Sequence, residues 1–352
     1  MKLRIWLGRI IPMAIIVLGE VGLYYVLFKW LTSSFVYIEM ILHLSAFFII
    51  LNIVRTSRHL SSDLMWILLI ILFPVFGTFV YIIMVVSLIF GKTFRNIITE
   101  QKKAAPYYKQ DASIIQEIQT INPDFVSQLA FLHQEGFPFY RNTDFSFYSP
   151  CEQGFERMLA ELKKAQKFIF MEYFIIEEGV MWNSILSILE EKVKQGVEVR
   201  VMYDDMGSLN TLPASYTRQL EKKGIKAVSF NRISPVINTI MNHRDHRKIL
   251  VIDGKVAFSG GANLADEYIN KKVIHGHWMD NIICVKGNAV WSYLVTFLTN
   301  WNALRHEDDD YTVFKNEEII DESHFDGYIA PYAETPLDEE LTGQSVYEDM
   351  LN

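Results

Sequence analysis

Hydrophobic and polar positions follow two different rhythms along this chain of 352 residues. Over the first ninety residues the apolar side chains run almost without a break. Leu64 to Phe90 is 27 residues long and carries no charged side chain, and about 20 apolar residues suffice to cross a bilayer as a helix. This stretch is predicted to be one transmembrane helix, with Pro74 and Gly77 tolerated inside it because neighbouring groups satisfy the freed carbonyl. Phe35 to Val54, carrying Glu39 and His43, and Ile10 to Phe28, carrying Glu20, are two further candidate spans. Ionisable groups at membrane depth mark function or helix pairing, and interhelical contacts or positions near the membrane interface are the simpler reading here. The basic start (Lys2, Arg4, Arg9) suggests a signal peptide, but no small-x-small site precedes the next apolar run, so cleavage is not expected. Basic residues flank the spans on both sides, at Arg55/Arg58 and at Lys92, Arg95, Lys102 and Lys103, so charge alone does not orient them. The preferred topology is multi-pass in the cell membrane, with the long carboxyl-terminal part cytoplasmic.

After about residue 100 the rhythm becomes that of an α/β domain. Lys167–Ile176 reads as a buried strand, and Val180–Gln195 has helical periodicity with Gly196 as its stop. Val197–Asp205 is a second strand, Pro213–Lys223 a helix stopped by Gly224, and Ile225–Phe230 a third strand. His246–Asp253 and Lys255–Ser259 form a strand pair around Asp253-Gly254. Strands alternating with helices predict a layered sheet with helices on its faces. The expected organisation is a membrane anchor over 1–91, a linker over 92–130, a catalytic half-domain over 131–302 and an acidic tail over 303–352.

Composition narrows the classes. Half of the residues are hydrophobic, which excludes a disordered chain, and two cysteines, Cys151 and Cys284, are too few for a disulfide scaffold and are read as packed thiols. The net charge of −8 conceals three unlike parts. Residues 1–91 hold six Lys/Arg against three Asp/Glu, net +3; residues 92–302 hold 25 against 23, net +2; residues 303–352 hold two against fifteen, net −13. The near-neutral middle tolerates an anionic substrate or membrane face, and the tail is expected to be solvated.

The chemistry concentrates in His246-Arg-Lys248-Ile-Leu-Val-Ile-Asp253, followed by Ser259-Gly260-Gly261-Ala-Asn263. On a strand His246 and Lys248 point one way and Arg247 the other. A neutral imidazole is a nucleophile toward phosphorus, and a fixed cation beside it stabilises charge on the phosphoryl oxygens. The glycines let backbone approach a phosphate closely, and the Asn263 amide is a donor to it. Taken singly, each residue also has a plain reading: a strand-end histidine, a solvated lysine, an Asp-Gly turn.

Together, H-x-K-x4-D followed by G-G-x-N resembles the phospholipase D superfamily signature. The order of features, hydrophobic segments with Trp66, Pro74, Gly77 and Tyr81, then FIFMEYFII, the signature and Trp278-Met-Asp280, is similar to that of bacterial cardiolipin synthases of the phospholipase D type. The resemblance implies amino-terminal transmembrane helices followed by one phospholipase D-like sandwich half, a mixed sheet flanked by helices. It implies transfer of a phosphatidyl group from one phosphatidylglycerol to another through a phosphohistidine, with release of glycerol and no cofactor or metal. Carried over by position, His246, Lys248 and Asp253 are catalytic, with Asp253 supporting strand and turn, while Gly260, Gly261 and Asn263 contact phosphate. Asp280 is the candidate carboxylate holding the unreactive nitrogen of His246. Glu172, a carboxylate in a buried strand, needs a partner near the site.

The departure from the family pattern is the count of signatures. Such proteins carry two, and this chain has one: of its nine histidines, His246 alone is followed two residues later by lysine, whereas His243, His275 and His277 are not. The residues around Gly343 to Leu351 resemble the lead-in to a second half. A truncated chain, a homodimer or a separately encoded second half is therefore expected. The expected partners are phosphatidylglycerol and an anionic phospholipid membrane, with no nucleic acid, although Arg232, Arg244 and Arg247 are basic enough to suggest one. A membrane-bound phosphodiesterase and a catalytically silent remnant are the competing readings. Asp204-Asp205 point to opposite strand faces and make a poor metal site, and Glu307–Asp310 lacks calcium-loop spacing and is expected to face solvent.

Overall fold

The computed structural model describes residues 18–26, 35–56, 60–90, 92–232, 244–274, 276–316, 327–334 and 342–351. The basic start with Lys2, Arg4 and Arg9, then Arg58, His243, His275 and the side chain of Glu39, lie outside what is described. The chain divides into two compact units, one centred on residues 1–90 and the other on residues 91–352.

The first unit contains helices α1 (18–26), α2 (Phe35–Thr56), α3 (Leu60–Leu72) and α4 (Pro74–Phe90). The 27-residue uncharged run is not one helix. In a continuous helix of 1.5 Å rise, Trp66 and Tyr81 would stand roughly 22 Å apart; their ring centroids are 5.7 Å apart, so the chain turns back on itself at Phe73. Pro74 opens α4, where its missing N–H would have no helical acceptor. Gly77 permits the return: a Cβ there would meet Leu69 O at 2.7 Å and Ile70 Cα at 2.9 Å. Glu20 accepts a hydrogen bond from Phe76 N at 3.1 Å, satisfying a free N–H of the first turn of α4. Its role is thus the interhelical contact expected of it. Ala46, Ile53 and Ile70 bury a small core, while Phe47, Phe48, Leu68, Ile71 and Phe79 face outward. Among the described residues no helix is long and apolar enough to cross a membrane.

The second unit is a three-layer α/β/α structure. Its strands are β1 (Thr143–Tyr148), β2 (Phe168–Tyr173), β3 (Glu198–Asp204), β4 (Lys226–Phe230), β5 (Lys248–Ile252), β6 (Val256–Gly260) and β7 (Ile282–Gly287), in the order β1-β7-β6-β5-β2-β3-β4. β2, β3 and β4 are parallel and the other pairings antiparallel, so the sheet is mixed. Its helices are α5 (Lys92–Ala104), α6 (Ala112–Ile121), α7 (Val126–Gln134), α8 (Cys151–Leu162), α9 (Val180–Lys194), α10 (Tyr216–Lys222), α11 (Val290–Arg305) and α12 (Thr342–Leu351). The period-2 alternation sorts the core into two faces. Ile169, Met171, Tyr173, Leu250 and Ile252 join Trp182 and Ile185 of α9 on one side; Phe168, Phe170, Ile249 and Val251 join Leu294, Phe297 and Trp301 of α11 on the other.

In this unit the strands and helices read from the sequence are present with ends within about three residues of those expected, but several expectations need correction. The 92–130 stretch is not a bare linker, since α5 buries Phe94 and Ile97 and packs along α11. Glu307–Asp310 is not simply solvated. Asp309 and Glu198 ion-pair with Arg200, which is 2% exposed and caged by Phe170, Trp301 and Phe314 with centroids 4.7, 5.2 and 5.2 Å from its guanidinium carbon. Desolvating that cation requires carboxylates at hand. Cys151 and Cys284 are buried free thiols, as read.

Candidate active site

β2 and β3 run parallel and end beside the start of β5, and open α/β sheets bind ligands outside the carboxyl ends of such strands. There a cavity of about 400 Å³ opens, lined by Phe94, Ile97, Gln101, His246, Lys248, Gly260, Gly261, Tyr293 and Asn300 among others. His246 lies two residues before β5 rather than on it. The alternation nevertheless persists: His246 and Lys248 both meet the ring of Phe174, whereas Arg247 faces Glu172 on the α11 side.

The His246 ring packs edge-on to Phe174 with centroids 4.8 Å apart, and the Lys248 ammonium stands 5.7 Å from the same ring centre. Lys248 Nζ donates to the His246 carbonyl at 2.7 Å. Burial and the Lys248 charge push the His246 pKa below its usual value, partly opposed by Asp245, so the imidazole is neutral at neutral pH. Burial lowers Lys248 to about 8, against the pull of Asp245 and Asp280, so most of it remains charged there.

The other sequence-derived residues divide. Gly260 has φ +138°, and a Cβ there would meet Asn281 O at 2.5 Å; at Gly261 it would meet Asp280 Oδ1 at 2.0 Å. The close approach these glycines permit is thus to the chain's own Asp280-Asn281. Asp280 Oδ1 accepts from Asn281 N at 2.8 Å, and among the described residues no hydrogen bond joins it to the His246 ring; its charge acts on Lys248. Asn263 is 2% exposed, accepts from Ile175 N at 3.0 Å and donates to Tyr268 Oη at 2.9 Å. Asp253 sits at the far end of β5, roughly 20 Å along the strand from His246. Its carboxylate accepts from Gln166, Lys167 and Phe168 N at 2.8, 2.7 and 2.9 Å. The structure therefore gathers His246, Lys248, Gly260, Gly261 and Asp280, and places Asn263 and Asp253 in the supporting framework.

Glu172 is fully buried and accepts from Asn300 Nδ2 at 2.8 Å, with Arg247 at 3.8 Å. Asp204 takes Met206 N and Gly207 N, both at 2.9 Å, Asp245 N at 3.1 Å and the Arg244 guanidinium at 3.5 Å. Residues the sequence did not single out are Phe174, Asp245 and Asn300; only Asp245, adjacent to the histidine, carried a signal.

A family model described as cardiolipin synthase, PLD-like domain, matches residues 158–294, and one described as phospholipase D-nuclease N-terminal matches residues 41–95. A Streptococcus mutans protein is 42% identical over 307 residues, covering 86% of this chain and 66% of that protein. A cardiolipin synthase of Alkalihalophilus pseudofirmus is 32% identical, covering 78% and 54%, and cardiolipin synthase 2 of Bacillus cereus is 34% identical, covering 73% and 50%. The chain belongs to the phospholipase D superfamily, and its kin there are the bacterial cardiolipin synthases. It spans between half and two thirds of the length of these relatives.

Proposed function

We propose that this chain supplies the phosphatidyl-accepting histidine of a cardiolipin synthase-type phosphatidyltransferase. The observation that carries the reading is the shared position of a neutral His246 and the Lys248 ammonium, both against Phe174 and both lining one cavity. His246 attacks the phosphorus of a phosphatidylglycerol; an N–P bond forms as the P–O bond to the glycerol headgroup breaks, and glycerol leaves after taking up a proton. A hydroxyl of a second phosphatidylglycerol then attacks the phosphohistidine and loses its proton as the N–P bond breaks. Lys248 stabilises the charge on the phosphoryl oxygens in both steps.

The departing glycerol oxygen needs a proton, and general acid catalysis is typically worth about 10² to 10⁴ in rate. Among the described residues that line the cavity His246 is the one imidazole. We assign the acid to a second signature, which these 352 residues do not contain. The outward apolar side chains of α2, α3 and α4 support a seat in the lipid bilayer, which brings the cavity to its substrate.

The test is labelled phosphatidylglycerol presented to the membrane-bound protein with a second signature half supplied in trans. An acid-labile, base-stable label on the wild type and none on His246→Ala is the expected result, unchanged by chelators. Label on the alanine variant rejects the assignment, and phosphatidic acid in place of cardiolipin identifies water as the acceptor.

A further inference from the structure

Behind His246, on the α11 side of the sheet, two carboxyl groups meet in the interior. Glu172 ends the row Phe168, Phe170, Glu172 on β2 and is 0% exposed; Asp245, covalently joined to His246, is 6% exposed. The two oxygens of Glu172 are not equivalent. Oε1 accepts from Asn300 Nδ2 at 2.8 Å and faces Arg247 at 3.8 Å. Oε2 is buried and receives no donor among the described residues, and the remaining group against Glu172 is the carboxyl of Asp245. Two ionised carboxylates in contact away from water repel strongly, and such pairs hold a proton between them. One oxygen with a donor and the other without one fit an un-ionised acid whose O–H points at a second carboxyl.

We propose that Glu172 is un-ionised at neutral pH and donates its O–H to the Asp245 carboxylate, acting as a positioning residue for His246 and Lys248. The inference rests on reading His246 as the nucleophile. The environment agrees, since burial and then the Asp245 charge push Glu172 well above the usual carboxylate range. Asp245 is fixed on its other sides: its carboxylate accepts from Arg247 N at 3.3 Å and its N–H donates to Asp204 Oδ2 at 3.1 Å. Its charge reaches both reacting groups, favouring the protonated form of His246 and of Lys248. Glu172 thus holds the Asp245 carboxylate in place under the motif, and the Asp245 charge favours the Lys248 ammonium.

The other charged and titratable groups around the pair are Arg244 and Arg247 from the lead-in to β5, Asp204 at the end of β3, and Tyr108 after α5, which feels Arg247. α11 contributes the neutral Asn300. On the opposite face, His246 meets Lys248 and Phe174, and Asp280 acts on Lys248.

Two measurements on the full chain in detergent test this, and both read the free protein, so they stand whether or not His246 ever takes up a phosphatidyl group. Infrared spectra of wild type with and without carbon-13 glutamate are expected to show, at neutral pH, the carbonyl stretch of an un-ionised glutamate, lost in Glu172→Gln. Histidine NMR, with the His246 signal assigned by its loss in His246→Ala, is expected to give the same titration midpoint in wild type and Glu172→Gln, because the amide also donates to Asp245. Asp245→Asn removes the anion and is expected to move that midpoint to lower pH. Absence of the un-ionised glutamate band in the wild type overturns the proposal without any variant. So does a Glu172→Gln shift as large as that of Asp245→Asn.

Discussion

Lys248 donates its ammonium to the backbone carbonyl of His246, two residues back, at 2.7 Å. This bond curls the lysine along its own chain, so that its charge stands beside the imidazole rather than reaching into solvent. The price is desolvation, which lowers Lys248 to about 8 and His246 below its ordinary value.

The pH dependence follows from those two directions. Phosphohistidine formation needs His246 neutral and Lys248 charged, so its single-turnover rate is expected to rise as pH passes the His246 value, below 6.5, and to fall through about 8. In Lys248→Arg the guanidinium stays charged to above pH 12 or so, and the alkaline limb is expected to disappear while the maximal rate drops. An alkaline limb at the same pH in the arginine variant removes Lys248 as its cause. Stability carries the opposite sign. Between about 8 and 10.5 the unfolded chain binds a proton that folded Lys248 has released, so burial of Lys248 opposes folding at neutral pH and that opposition fades as pH rises through the window.

Asp253 is expected to matter for stability more than for chemistry. Its carboxylate gathers three backbone N–H groups that open β2, and its φ of 54° lies in the left-handed region that Asn tolerates and Ala does not. Hydrogen bonds to a charged acceptor are worth about 1.5–3 kcal/mol each, and removing a shared acceptor strands its donors. Asp253→Ala is therefore expected to cost about 2–4 kcal/mol and to lower Tm by roughly 5–15 °C, with Asp253→Asn milder. Labelled adduct per folded molecule is expected to survive in Asp253→Asn. Calorimetry beside adduct counting separates the two roles, and loss of adduct at unchanged Tm would return Asp253 to the chemistry.

How much of this was legible in the sequence depends on the range of the interaction. β2, β3, β4 and β5 were readable because their alternation or apolar runs are local, and the grouping of His246 with Lys248 followed from period 2 alone. α11 escaped notice because VWSYLVTFLTNWNALR is buried on nearly all sides and has no polar stripe to mark its period. β1 was hidden for the opposite reason: as an edge strand it exposes Phe145 and Phe147. The partners of Glu172 come from the lead-in to β5 and from α11, up to 128 residues away, and only tertiary pairing reveals them. Asn263 kept its motif position, but its amide is consumed by Ile175 and Tyr268, a use that no spacing announces.

The turn at Phe73 gives the last prediction, because hydropathy and packing disagree there. A single helix over Leu60–Phe90 would be roughly 46 Å long and would put its ends on opposite sides of a bilayer. The return of α4 along α3, with Trp66 against Tyr81, would put them on the same side of a bilayer. In a chain lacking Cys151 and Cys284, the single-cysteine variants Asp63→Cys and Lys92→Cys are expected to react with a membrane-impermeant maleimide from the same side. Reaction from opposite sides would establish the continuous span instead. Gly77 is the weak point of the turn, since a Cβ would press on the Leu69 carbonyl at 2.7 Å, backbone that a rotamer change cannot move. Overpacking typically costs about 1–3 kcal/mol. Gly77→Val is expected to pry α3 and α4 apart, to make the Phe73–Gly77 region accessible to protease in detergent, and to leave Gly77→Ala intermediate. An unaltered cleavage pattern in Gly77→Val would mean that the two helices do not meet at this residue.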